Sequence, residues 1–139
     1  MKKLLIAAVL ASVSLSASAA ETIRFAMEAS YPPFEFVDSS NKIQGFDVDL
    51  ANAMCKQMQA DCTFTNQAFD SLIPSLKFRR FDAVISGMDI TADRQKQVAF
   101  TDAYYDNSAI FIAEKGKFAD LAALKGKRVG MQNGSTHQK

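Results

Sequence analysis

Short apolar, β-prone runs alternate along this chain with helix-like stretches, and that alternation restricts the possible folds more than any other feature. Residues 23–27 read as a first, largely buried strand, 62–66 as a second and 83–86 as a third. Between the first two, Gly45-Phe46-Asp47 leads into a helix with Leu50, Ala51, Met54, Cys55 and Met58 on one face, with Asp47 expected as the N-cap. Residues 70–80 read as a turn and short helix with Pro74 near its start, where first-turn amides lack intrahelical partners. Thr91 is expected to cap a further helix carrying Asp93 and Arg94, and residues 108–113 and 127–131 read as strands flanking a helix at 118–124. Strand, crossover, strand implies parallel pairing and an α/β fold. Tyr31-Pro32-Pro33-Phe34 interrupts the pattern as a rigid extended loop, and residues 38–41 as a polar turn.

Residues 1–19 stand apart. Lys2 and Lys3 precede a short apolar stretch and then the small residues Ala17-Ser18-Ala19, the tripartite order of a cleaved export signal. The apolar stretch is too short to span a bilayer comfortably, and no second run of membrane length follows. The 16 Lys and Arg nearly balance the 15 Asp and Glu, and two of the basic residues lie in the leader. That balance implies no nucleic-acid partner.

An exported chain meets an oxidising compartment, where Cys55 and Cys62 are expected to pair. Closing so short a loop stabilises by about 2–3 kcal/mol in the chain-entropy model. Two buried thiols or a metal pair are the alternatives; with His137 as the single histidine, a metal site has few ligands.

In open parallel sheets, ligands bind beyond the carboxyl ends of the strands, where loops converge. That rule selects residues 28–34, 67–70, 86–94 and 133–137. By composition alone these segments are ordinary: Arg94 reads as a solvated helix charge, Asp89 as a turn residue, Tyr31 and Phe69 as loop packing, Glu28 as a surface acid, and Gly134-Ser135-Thr136 as a turn.

Their wording changes the reading. YPPFE at 31–35, GFDVDL at 45–50, AFDSLIPSL at 68–76, GMDIT at 87–91 and KGKRVG at 125–130 resemble the periplasmic amino-acid-binding proteins of ABC importers, bacterial solute-binding protein family 3. Among these, the wording is most similar to the arginine binders, with histidine/lysine/arginine binders next. The resemblance implies two α/β lobes joined by a hinge, with a ligand trapped as they close. It places a first lobe at 20–107, lacking its returning C-terminal segment, a hinge crossing near 106–108, and the beginning of a second lobe at 108–139. A truncated product or gene fragment is expected, one that holds ligand weakly or not at all because half the ligand shell is missing.

For a cationic amino acid, most simply arginine, the resemblance assigns Arg94 as the bidentate partner of the carboxylate, with the Gly87 amide and the amides and hydroxyls of Ser135 and Thr136 beside it. Asp89, with Ser86 alongside, meets the α-ammonium. Tyr31 and Phe69 take the planar side chain on their ring faces, Glu28 meets its distal charge, and Gln132, Asn133 or His137 add weaker polar contacts. The expected partners are the importer's membrane subunits, with the protein itself a monomer, and no cofactor or metal is called for. Lysine, histidine or ornithine are alternative ligands. The same fold also serves periplasmic enzymes such as dehydratases, but no nucleophile with an adjacent base is legible here.

Overall fold

The structure, a computed structural model, describes residues 20–138; the expected leader at 1–19 lies outside them. Strand β1 (Thr22–Met27) forms the middle of a parallel three-stranded sheet of order β5-β1-β6, flanked by β5 (Asp61–Asn66) and β6 (Ala83–Val84). Its register sets Thr22 opposite Asp61 and Phe25 opposite Ala83. Period-two alternation then sorts the core into two layers. Phe25 and Met27 point to one face and pack with Val48, Ala51 and Cys55 of helix α1 (Phe46–Met58). Ala26 points to the other and packs with Phe69 and Leu72, the latter opening helix α2 (Leu72–Lys77). Helix, sheet, helix is the expected α/β layering.

Leu72 is completely buried in the second layer, against Ala26 and Phe69 with Phe81, Val84 and Met88 around it. Truncating it leaves a cavity under the sheet. Leu72→Ala is expected to cost about 2–5 kcal/mol, read as a lower urea midpoint at unchanged m-value.

The bridge between Cys55 and Cys62 is present, with Cα atoms 6.0 Å apart, tying the last turns of α1 to the start of β5. Arg24 and Asp82 make a second tie, a forked ion pair in which Nε and one terminal nitrogen each donate at 2.8 Å. It joins β1 to the residue preceding β6 at a half-exposed site, where such pairs contribute little beyond register.

Three expectations are corrected. Asp47 does not cap α1; Gly45 does, at φ 130°, without any side-chain cap. Carbonyls replace the cap: the Phe46 amide donates to Pro33 O and the Asp47 amide to Phe34 O, so the chain passing over the helix end satisfies its first donors. Residues 31–34 are not simply an extended loop. Tyr31 closes strand β2 (Ser30–Tyr31), which pairs antiparallel with β3 (Glu35–Val37), itself paired with β4 (Ile43–Gln44). The prolines occupy the tight turn between β2 and β3, bridged by the Phe34 amide to Tyr31 O, where no proline amide is needed.

The third correction concerns residues 108–131. Neither expected strand forms, and the helix shrinks to a 3-10 turn at Ala122–Leu124. A strand exists only through its ladder, and among the described residues nothing pairs with either segment. Ile110, Phe111 and Ile112 are left exposed, Ile112 by 88%. Among the described residues no helix is long and apolar enough to cross a membrane.

Candidate ligand-binding site

All three parallel strands point their carboxyl ends at one cleft of about 410 Å³. Glu28 and Ser30 follow β1, Phe69 follows β5, and Ser86, Gly87, Asp89 and Arg94 follow β6. Tyr31 closes one side from β2, and Gln132, Thr136 and His137 arrive from the end of the chain. Of the expected site residues, the cleft gathers Glu28, Tyr31, Phe69, Ser86, Gly87, Asp89, Arg94 and Thr136. Ser135 is outside the lining, its hydroxyl turned back to donate to Gln132 O at 2.7 Å. Asn133 is also outside, its side-chain amide donating to the Asp70 carboxylate.

Thr91 caps helix α3 (Ala92–Gln95) as expected, its hydroxyl accepting from the Arg94 amide at 3.2 Å. That cap fixes where Arg94 leaves the backbone. Its guanidinium donates to Asp89 O at 2.7 Å and to Gly134 O at 3.0 Å, using two of the five N–H donors of an arginine. The same group lies over the Phe69 ring, 5.5 Å from its centroid. Gly87 adopts φ 51°, a left-handed turn that glycine enters freely, and it lies beside the Tyr31 ring.

Residues 132–136 fold across this floor. Thr136 donates its hydroxyl to Asp89 Oδ2 at 2.5 Å, Gln132 donates its amide to Glu28 Oε2, and Gly134 supplies the carbonyl that Arg94 holds. The 3-10 turn Thr136–Gln138 replaces the expected helix start.

Beneath the floor lies a residue that sequence reasoning passed over. Glu35 is 1% exposed and lines the cleft from below. Its Oε1 accepts from the Ser86 hydroxyl at 2.9 Å, while the Ser86 oxygen accepts from the Glu28 amide at 3.0 Å. Burial, with like charge on Asp47 and Glu28 adding to it, pushes the Glu35 carboxyl up to about 8, against the lowering effect of the Ser86 hydrogen bond. Local sequence points the other way: alternation in Glu35-Phe36-Val37 would bury the ring and expose the acid, whereas Glu35 is the buried residue of β3.

Residues 23–136 match the model of bacterial extracellular solute-binding proteins, family 3. The chain belongs to that family. Its whole length is 68% identical to a putative ABC transporter arginine-binding protein of Escherichia coli K12, of which it covers 57%. A Salmonella typhimurium periplasmic binding protein described for high arginine specificity superposes with a TM-score of 0.83 at 58% identity, over 86% of this chain and 54% of that one. The arginine-bound form of domain 1 alone, from a T. maritima arginine-binding protein, superposes at a TM-score of 0.59 and 45% identity, over 61% of this chain and 68% of that one. The chain thus spans little more than half the length of the curated family relative it matches.

Proposed function

We propose that this chain carries the ligand-gripping part of an exported protein that captures a cationic L-amino acid, arginine first, for an ABC importer. Residues 1–19 direct export to the periplasm, 20–107 form the first lobe and 108–139 begin the second. The observation carrying the reading is the single cleft that brings a fixed guanidinium, two aromatic faces and two carboxylates within reach of one small zwitterion. The fork of Arg94 receives the ligand carboxylate, with the Gly87 amide and Thr136 hydroxyl beside it. Asp89 meets the α-ammonium, exchanging the Thr136 hydroxyl for a charged donor. Tyr31 and Phe69 sandwich the flat, weakly hydrated side chain, and Glu28 pairs with its distal charge, exchanging Gln132. Ser86 offers only an oxygen, because its proton is committed to Glu35. The family relatives described above are transport binding proteins, which supports capture rather than catalysis.

Calorimetric titration of the chain with L-arginine tests this, with L-lysine, L-histidine and the neutral isostere L-citrulline beside it. Saturable binding of arginine is expected, weaker than micromolar because a two-lobed protein closes on its ligand from both sides; the arginine-bound domain 1 of the T. maritima relative supports binding by a first lobe alone. Citrulline, lacking the distal charge, should bind less well. Mass spectrometry of the recovered arginine should find it unaltered. No heat with arginine up to about 10 mM, a concentration that detects even affinities of about −3 kcal/mol, would sink the reading.

Tyr31→Ala is expected to weaken arginine about 2- to 30-fold, corresponding to the 0.5–2 kcal/mol of a cation–π contact, and to affect lysine less. Equal losses for both ligands would show that the ring merely packs against the Gly87 turn.

A further inference from the structure

Two carboxylate oxygens, Glu35 Oε2 and Asp47 Oδ1, are buried without any hydrogen-bond partner. Glu35 and Asp47 are 1% and 0% exposed, and the two side chains adjoin, each within hydrogen-bonding reach of the other. Two buried carboxylates within reach of each other, each with a bare oxygen, are costly to keep, because each orphan carries its full desolvation cost and like charges add to it. A single proton between them satisfies both.

We propose that Glu35 is a neutral glutamic acid whose proton is donated to Asp47, and that this buried pair is a positioning device linking the floor of the cleft to the segment leading out of the first lobe. Every remaining contact then has a direction. Ser86 donates its hydroxyl to Glu35 Oε1, Glu35 donates from Oε2 to Asp47 Oδ1, and the Tyr104 hydroxyl donates to Asp47 Oδ2 at 2.9 Å. The proton belongs on Glu35 rather than Asp47 for two reasons. Asp47 sits in the first turn of α1, at the positive end of the helix dipole, which favours a negative charge, and it already accepts from Tyr104. Glu35 sits on a strand with no such field.

The consequence is that three separate parts of the chain share one anion. Ser86 follows β6 in the cleft, where its oxygen also holds the Glu28 amide, and Tyr104 belongs to the exposed stretch after Phe100. The titratable groups facing Glu35 are Asp47 from α1, Glu28 from the end of β1 and Tyr104. Two are carboxyl groups and the third is a phenol, so none brings a positive charge that would compensate ionisation of Glu35. Burial and the Asp47 charge hold the Tyr104 hydroxyl well above its ordinary range, so it remains a donor.

The sign of the pH effect follows from where Glu35 titrates. An unfolded chain releases the Glu35 proton near 4.5, whereas the folded one keeps it to about 8. The folded state therefore binds more protons across that window, and its stability falls as pH rises from about 4.5 to about 8, then levels. As a device inside the proposed site, the pair rests on the ligand-capture reading for its functional meaning; its chemistry does not.

Infrared spectroscopy of the chain near neutral pH should show the carbonyl band of a buried neutral carboxyl group, lost on titration to alkaline pH and absent from Glu35→Gln. The carboxamide of that variant keeps an acceptor for Ser86 and a donor for Asp47. Glu35→Gln should therefore fold and lose the fall in melting temperature between about pH 4.5 and about 8 that is attributable to this residue. Wild-type spectra without the neutral band overturn the proposal, as does a Glu35→Gln melting profile that keeps the full wild-type slope. Should Glu35→Gln not fold, the wild-type titration decides alone. Failure of arginine to bind leaves the band in place, so the two readings fail separately.

Discussion

Arg94→Ala is expected to abolish calorimetrically detectable arginine binding. A carboxylate carried into the cleft gives up its water, and in the proposed reading Arg94, which lies over Phe69 in the cleft lining, is the cation that receives it. Removing one partner of a desolvated charge pair costs about 3–5 kcal/mol, which is a loss of roughly two to four powers of ten in affinity. The same guanidinium ties Asp89 O to Gly134 O, so affinity alone does not separate direct from indirect loss. The carboxamide analogue of arginine does. The wild-type chain should bind argininamide about as poorly as Arg94→Ala binds arginine, and the variant should discriminate little between the two ligands. A variant that still prefers arginine over its amide would remove Arg94 from the carboxylate site. Arg94→Lys keeps the charge but not the fork, and should recover part of the loss only.

Gly45→Ala is expected to be the most damaging single-methyl change in the described chain. A methyl group there would lie 2.3 Å from Phe34 O and 2.8 Å from Pro33 O, both backbone atoms, at a φ of 130° that other residues rarely adopt. Those carbonyls are the ones that satisfy the first amides of α1. Yielding to the methyl therefore breaks the helix start and displaces the β2–β3 turn that carries Tyr31 together. A destabilisation of about 3 kcal/mol or more is expected, seen as a fall in melting temperature above about 10 °C. A melt within about 2 °C of wild type would mean that the carbonyls are not the cap.

What the sequence reveals here depends on whether the information is local. The sheet was legible because 23–27 and 62–66 are continuous β-prone runs separated by an amphipathic helix, and crossover connections leave only parallel pairing. Thr91 was legible because a cap acts within one turn of its own helix. The misplaced cap at Asp47 shows the opposite case: Asp47 looks like a cap from its neighbours, but the true partners are carbonyls arriving from Pro33 and Phe34. Residues 108–131 show it again, since an apolar run predicts readiness to pair and says nothing about whether a neighbour is at hand. For the site, the rule about carboxyl ends of parallel strands selected loops that contribute to one cleft, and the motif wording singled out residues within them. Ser30, Glu35 and Asn107 also line the cleft and were not foreseen. Glu35 escaped notice because its meaning comes from Ser86 and Asp47, each from a different part of the fold.

The placement of β1 has a consequence for how the molecule comes together. It is the earliest strand to leave the ribosome, yet both its neighbours are encoded later, and its tie from Arg24 to Asp82 spans 58 residues. Until β6 has been made, the most apolar ribbon of the sheet has an unmatched edge. Pairing along that edge must therefore wait until residues 83–84 have been made, so that the late-arriving β6 is the step at which the sheet commits to its final shape.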